Sequence, residues 1–243
     1  MKNFKYHLII TILFYSGLTF SQSNHEPSLK GKKIIYVYGG WEGHSPKQSV
    51  DVFVPKLRAA GADVKVFDNL KVYTNKKIMD ETDLIIQIWT MGKISEKQFE
   101  GLQSAIMSGT GFSGWHGGLG DAFRDNLKYQ FMVGGQWVSH PGGKVKFIVN
   151  ILNDELTVGI MDFELFSEQW YVHFDPNIDI IATTTFDGKY FPEIDGVVMP
   201  IAWKKLYGKG KVFCLTIGHN PNEFTNNENA WKLLTRGLKW ATR

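Results

Sequence analysis

The sequence is poor in cysteine: of its 243 residues only Cys214 is one. A lone thiol closes no internal disulfide, so the chain is not a disulfide scaffold. Cys214 lies inside the apolar run Val212–Ile217 rather than at a strand end, the place of a small core residue. Gly-x-Gly-x-x-Gly and Gly-x-x-x-x-Gly-Lys-Ser/Thr are both missing, which removes the usual signatures for dinucleotides and nucleoside triphosphates. A surplus of one charge is missing as well. Setting aside Lys2 and Lys5 lowers the formal charge from +3 to +1, leaving no electrostatic case for nucleic acid or an anionic membrane as partner. The N-terminal apolar run Leu8–Phe20 falls short of the roughly 20 residues that a transmembrane helix needs. With Lys2 and Lys5 before it and Thr19-Phe20-Ser21 at its end, it reads as a secretory leader; an uncleaved anchor is the alternative. No cysteine follows for lipid attachment. Residues 1–21 are therefore expected to be a signal peptide, 22–31 a linker and 32–243 one domain, exported to a periplasm or the medium without a stable membrane anchor.

A hydrophobic content of 43% suffices for one well-buried domain of this length. Ile34–Tyr38, Asp63–Phe67, Leu84–Trp89 and Thr110–Trp115 read as strands, the central ones apolar on both faces as a parallel sheet requires. Between them, Gln48–Ala60 carries a helical stripe of Val50, Phe53, Val54 and Leu57. A second helix opens at Ser95 with Gln98 three residues on, the pattern of a capping box. This alternation predicts a doubly wound α/β fold with a mostly parallel sheet. From Lys144 the pattern changes. Val145–Asn150, Ile180–Thr185 and Val197–Trp203 follow with little helix between them, which predicts an antiparallel extension. Lys211–Ile217 returns to a buried strand, and Ala230–Trp240 closes the chain as a helix packed through Trp231, Leu234 and Leu238.

Four of the apolar runs end in loops of glycine, histidine and tryptophan. If their strands are parallel neighbours, these loops share the carboxyl edge of the sheet, where ligands bind in such folds. Gly114-Trp115-His116-Gly117-Gly118 has the form of a nucleophile elbow with histidine in place of serine or cysteine. His116 there is a candidate acid, base, metal ligand or hydrogen-bond donor. His44, after Gly39-Gly40-Trp41-Glu42-Gly43, precedes Pro46 and the first helix. His219 stands in Gly218-His219-Asn220-Pro221, and His140 in a loop after Gly134-Gly135-Gln136-Trp137. Glu168 is flanked by Phe166, Trp170 and Tyr171, apolar rings that raise a carboxyl pKa if they exclude water. It competes with His116 and His44 for the catalytic role. Trp41, Trp89, Trp115 and Tyr171 offer flat faces suited to sugar rings, although tryptophans at sheet edges also serve simply as packing. No cofactor is dictated. The histidines lie far apart and form no His-x-x-x-His pair, so a divalent metal stays an option.

Three segments carry a family resemblance. They are Gly111-Phe112-Ser113-Gly114-Trp115-His116-Gly117 with Phe131-Met132-Val133-Gly134-Gly135 and His140-Pro141; Ser167-Glu168-Gln169-Trp170-Tyr171; and Met199-Pro200-Ile201-Ala202-Trp203 through Tyr207–Phe213 to Gly218-His219. In order and spacing they resemble the ThuA-like, or trehalose-utilisation, family, over about Lys33 to Arg243. The resemblance implies a flavodoxin-like, class I glutamine amidotransferase-like fold. It further implies a role in sugar use, including 3-keto-glycosides. Amidotransferases carry cysteine at the elbow, where this chain has His116, so thiolate hydrolysis of glutamine is not expected. Many relatives have an Asp-Glu pair where Ser167-Glu168 stands here. The expected partner is a small carbohydrate, and the expected chemistry is acid–base isomerisation, elimination or hydrolysis. A non-catalytic sugar-binding module and a metal-dependent hydrolase are the alternatives.

Overall fold

A computed structural model describes residues 28–243, and the leader read at 1–21 lies outside the described residues. The tether read at 22–31 ends sooner than expected. Leu29 is buried in the core, and the Gly31 N–H donates to the Gly61 carbonyl at 2.8 Å. The first stretch of chain runs through β1 (Lys33–Gly40), α1 (Pro46–Ala59), β2 (Asp63–Phe67), α2 (Lys76–Glu81), β3 (Leu84–Thr90) and α3 (Glu96–Met107). Next come β4 (Gly111–Trp115), α4 (Gly117–Gly120), α5 (Leu127–Val133), β5 (Gly135–Ser139), β6 (Lys144–Ile151) and β7 (Phe163–Glu168). The rest is β8 (Tyr171–Phe174), β9 (Asp179–Thr185), β10 (Val198–Tyr207), β11 (Gly210–Leu215), α6 (Asn222–Thr225) and α7 (Glu228–Ala241).

Nine strands form one sheet in the order β2-β1-β3-β4-β11-β10-β9-β6-β7. The first five are parallel, and β10, β9, β6 and β7 continue the sheet antiparallel. The predicted α/β fold with an antiparallel extension is therefore the fold observed. β5 and β8 pair separately as a two-stranded ribbon.

Successive residues of a strand point to opposite faces, which splits the core in two. Ile34, Tyr36, Ile86 and Phe213 pack on one side with Phe53 and Leu57 of α1 and Leu234 and Leu238 of α7. Ile35, Val37, Ile85 and Val212 pack on the other with Phe99, Leu102 and Ile106 of α3 and Met132 of α5. A helix on α7's path lies close to the sheet because Gly237 has no side chain: a Cβ there would stand 1.9 Å from the Phe213 ring. The capping box predicted at Ser95 and Gln98 is present, with both reciprocal hydrogen bonds formed. Cys214 is fully buried, and burial pushes its thiol well up, so it has none of the thiolate character a nucleophile needs.

Candidate active site

The order β2-β1-β3 reverses direction between β1 and β3, and in doubly wound folds ligands bind at the carboxyl ends of the strands beside such a switch point. His44 follows β1 in a single 3-10 turn, His116 follows β4, and His219 follows β11. Sharp backbone turns put them there. Among the described residues four non-glycine residues have positive φ, and three of them, Ser45, Met91 and His116, lie just beyond β1, β3 and β4. Such conformations cost on the order of 1–3 kcal/mol each and persist only where the surroundings hold them. At His116, φ is 47° and ψ is −142°. Its N–H donates to the Leu215 carbonyl at 2.7 Å, and its carbonyl accepts from Gly120 N at 2.9 Å. Below the elbow, the fully buried Gln87 donates its amide to the Gly118 carbonyl at 3.2 Å and accepts from the Tyr73 hydroxyl at 2.8 Å.

The three imidazoles meet. Ring centroids lie 4.6 Å apart for His44 and His116, 5.0 Å for His44 and His219, and 5.2 Å for His116 and His219. Gly117 permits this approach, because a Cβ there would stand 2.3 Å from His44 Nδ1. Glu168, at the end of β7, completes the group. Its Oε2 is 3.1 Å from His116 Nε2, its Oε1 is 3.1 Å from His219 Nδ1, and the Trp170 indole donates to Oε2 at 3.3 Å. One ligand atom from each of His44, His116, Glu168 and His219 lies within 4.8 Å of the others.

Outer partners fix the rings. His116 Nδ1 is 2.7 Å from the Thr216 carbonyl, which can only accept, so Nδ1 carries a proton and Nε2 faces the cluster, where it offers a lone pair whenever the ring is neutral. His44 Nδ1 is bound to the Thr90 hydroxyl at 3.0 Å, leaving Nε2 free. Buried nitrogens without a hydrogen bond are rare in proteins, yet His116 Nε2 and His219 Nδ1 are both of this kind. Each stands 3.1 Å from a Glu168 oxygen. Three nitrogens and one carboxylate oxygen, with backbone and hydroxyl groups orienting the rings behind them, are the donor set of a divalent transition-metal site such as zinc.

The charges agree with this chemistry. Burial, and then the neighbouring imidazoles His116 and His219, lower the His44 pKa to about 3, so its ring is neutral and able to act as a ligand near pH 7. The sequence reading of a raised Glu168 pKa is reversed. Burial does push the carboxyl up, but His116 and His219 outweigh it and hold Glu168 well below the usual carboxylate range. A carboxylate so stabilised is a poor proton acceptor and a good ligand.

The remaining sequence candidates separate. His140 Nε2 stands 4.0 Å from Glu168 Oε1, at the rim of the cluster and in a ring contact with Trp137 at 5.6 Å. Trp41 is 48% exposed and meets the His44 ring edge-on at 4.8 Å. Trp89 is half-buried against Gly39. Trp115 is not a ligand platform: it is buried against Phe53, Phe224 and Tyr36, because alternation along β4 turns its ring toward α1 and α7. Tyr171 packs against Phe186 with centroids 6.2 Å apart.

Sequence reasoning missed two carboxylates. Glu223 Oε2 accepts from Ser167 Oγ at 2.7 Å, from Gly218 N at 2.9 Å and from His219 N at 3.1 Å, and so ties the His219 loop to β7. The signal was its place four residues after His219, in the turn that becomes α6. It also explains Ser167, which meets Glu223 where relatives are expected to carry a second acid. Asp121, just past α4, takes a two-point bond from Arg124 at 2.6 and 2.8 Å, and burial raises its pKa against that pairing.

A doubly wound α/β scaffold with a histidine elbow and a three-imidazole, one-carboxylate cluster defines the class of protein. The chain belongs to the ThuA family, described as trehalose utilisation, whose profile matches residues 33–241. Its fold is similar to a ThuA-like protein from Bacteroides uniformis at 16% identity, with 90% of this chain and 94% of that one aligned and a TM-score of 0.71. A ThuA-like protein from Parabacteroides merdae aligns at 16% identity over 87% of this chain and 90% of that one, with a TM-score of 0.69. Part of a catalytic mutant of Gan42B, a GH42 β-galactosidase from G. stearothermophilus, is similar at 13% identity over 76% of this chain and 27% of that one, with a TM-score of 0.51. No curated protein matches. Family membership assigns the chain a carbohydrate-related role.

Proposed function

We propose that the chain is an exported carbohydrate-active enzyme that holds a divalent cation on His44, His116, His219 and Glu168 and acts on a sugar or keto-glycoside. One observation carries this reading: the nitrogens of His116 and His219 are buried, unpartnered and gathered with Glu168 and His44 within 4.8 Å. When bound, such a cation polarises a carbonyl or hydroxyl oxygen and acidifies the adjacent C–H or O–H bond.

The chain's own residues supply the rest. The Thr216 carbonyl holds a proton on His116 Nδ1, and the Thr90 hydroxyl orients the His44 ring. Glu223 holds the His219 loop in place. His140 lies outside the four-residue group, at its rim and partly open to solvent, in position to pass a proton between substrate and water. Trp41 offers an open aromatic face beside His44 for the apolar side of a sugar ring.

A second reading rests on the 3.1 Å contact of His116 Nε2 with Glu168 Oε2: without metal, a proton shared between these two groups makes the pair, rather than a cation, the acid–base centre. Elemental analysis of protein purified without chelator, followed by NMR of a panel of disaccharides and their 3-keto forms, separates the readings. One equivalent of a divalent cation, with turnover lost on chelation and in His116→Ala, is the expected result. Turnover indifferent to chelation sinks the metal reading, and binding without any turnover reduces the protein to a sugar-binding module.

A further inference from the structure

The antiparallel extension contains a second cleft, of about 330 Å³. Its wall is aromatic, with Phe166 of β7 facing Phe186, Tyr190 and Phe191 of the β9–β10 loop. Phe166, Tyr190 and Phe191 are 61%, 46% and 44% exposed, an unusual concentration of open rings in one place. Its rim is basic. Lys144, Lys146 and Lys189 line it against one acid, Asp187.

Strand register explains the grouping. Lys146 pairs with Phe166 and Lys144 with Glu168, and directly paired residues share a face of the sheet. Lys146 is neutralised by Glu164 at 2.9 Å, so Lys144 and Lys189 leave an excess of positive charge beside Asp187. The Lys189 ammonium stands 5.3 Å from the Tyr190 ring centroid, which places cation and aromatic face together.

The cleft also adjoins the imidazole cluster. Pro141 and Gln169 line it, and they directly follow His140 and Glu168. Tyr190 packs onto the same loop: a Cβ on Gly142 would stand 2.3 Å from its ring. Gln169 is held rigid by its amide, which donates to Thr184 Oγ1 at 2.8 Å and to the Thr185 carbonyl at 3.1 Å.

We infer that this cleft is a subsite for an anionic sugar unit, a pyranose bearing a carboxylate or a sulfate, joined to the unit that reaches His140 and Glu168. Its volume lies at the lower end of ligand pockets, enough for one ring and not for a chain. Open aromatic faces stack on the C–H face of a pyranose. Two lysines supply charge-assisted hydrogen bonds to an anion without the fork geometry that would demand one particular acid. That the neighbouring unit is the reacting one rests on the proposed function; the preference for an anionic ring does not.

The test is calorimetric titration of cation-stripped and cation-loaded protein with three disaccharides: neutral, uronate-containing and sulfated. An anionic disaccharide is expected to bind about tenfold more tightly than the neutral one, with or without cation, and less so at high salt. The carboxylate and sulfate arms identify which anion the cleft takes. Lys144→Ala with Lys189→Ala should erase the preference while leaving cation binding at the histidines unchanged, and Phe166→Ala should weaken all three ligands. Equal affinity for neutral and anionic disaccharides, or a preference that survives the double lysine variant, overturns the inference. An anionic preference in a protein that turns nothing over leaves the inference standing and defeats the proposed function.

Discussion

The two halves of the sheet contribute unequally to the site. The parallel half delivers His44, His116 and His219 from the ends of β1, β4 and β11, three positions with one geometric cause. The antiparallel extension delivers a single ligand, Glu168, together with the His140 loop that precedes β6. Imidazoles are thus gathered by the shared direction of parallel strands, whereas the carboxylate arrives only because β7, five places from β4 in the sheet, ends beside Trp170 and the elbow. The imidazoles thus come from the parallel half of the sheet and the carboxylate from the antiparallel extension.

Removing one ligand from each half tests that division most severely. His116→Ala and Glu168→Ala should each lower zinc affinity by more than the 10–100-fold that loss of an outer partner costs, measured by competition with a chelating dye. If Glu168→Ala binds zinc as wild type does, the extension is not part of the centre. The next effect is on stability. Gly114→Val should cost about 3 kcal/mol in urea melts, because its Cβ would stand 2.3 Å from the Gln87 carbonyl oxygen. In the loop before β6, Gly143→Ala meets no atom within 4 Å and carries only the strain of φ +68°, about 1 kcal/mol. Equal losses at the two sites would mean that the elbow is no more tightly held than the loop.

A third variant probes how the extension is fastened. Lys205 of β10 is almost fully buried and donates to Asp175 at 2.7 Å. Asp175→Asn should destabilise by about 2 kcal/mol, below the usual loss for a buried pair because the aspartate lies near solvent. The bond from Lys205, then that from Asn177 N, holds the Asp175 pKa below the ordinary value of 3.8. Its contribution is therefore present above pH 3.8 and lost as pH falls through the folded-state value. The variant should flatten this acid limb of the stability curve; an unchanged limb would show the pair to be inert. The smallest effect is expected at Glu223→Gln. Loosening the His219 loop should cost about tenfold in zinc affinity with little change in melting temperature, and an unchanged affinity would make Glu223 a purely structural tie.

Much of the fold was legible because each signal was local. Alternating and continuous apolar runs gave β1, β3, β4 and β11, and Ser95 with Gln98 gave the start of α3. The β5–β8 ribbon was not legible, since strands such as Tyr171–Phe174 are short and partly exposed and carry no periodicity. At the site, His44, His116 and His219 could be picked out as histidines after glycine-rich strand ends. The role of Trp115 could not: on which side of β4 a ring falls depends on what packs there, and α1 with α7 fill that side. Glu168 was found as a residue but with the wrong proton affinity. Its flanking aromatics are visible in the sequence, whereas the two imidazoles that reverse the shift come from segments about 50 residues away on either side.

By itself the sequence determined the alternation of strands and helices, the histidine at the elbow and the family, because hydrophobic period, glycine placement and motif order are written in neighbouring residues. Only the tertiary structure decided that three imidazoles and one carboxylate share a space 4.8 Å across, and that lysines and open aromatic rings adjoin it. The reason is geometric: strand order, a long-range property, sets which loop ends meet, and burial together with opposing charge then sets what each side chain there does.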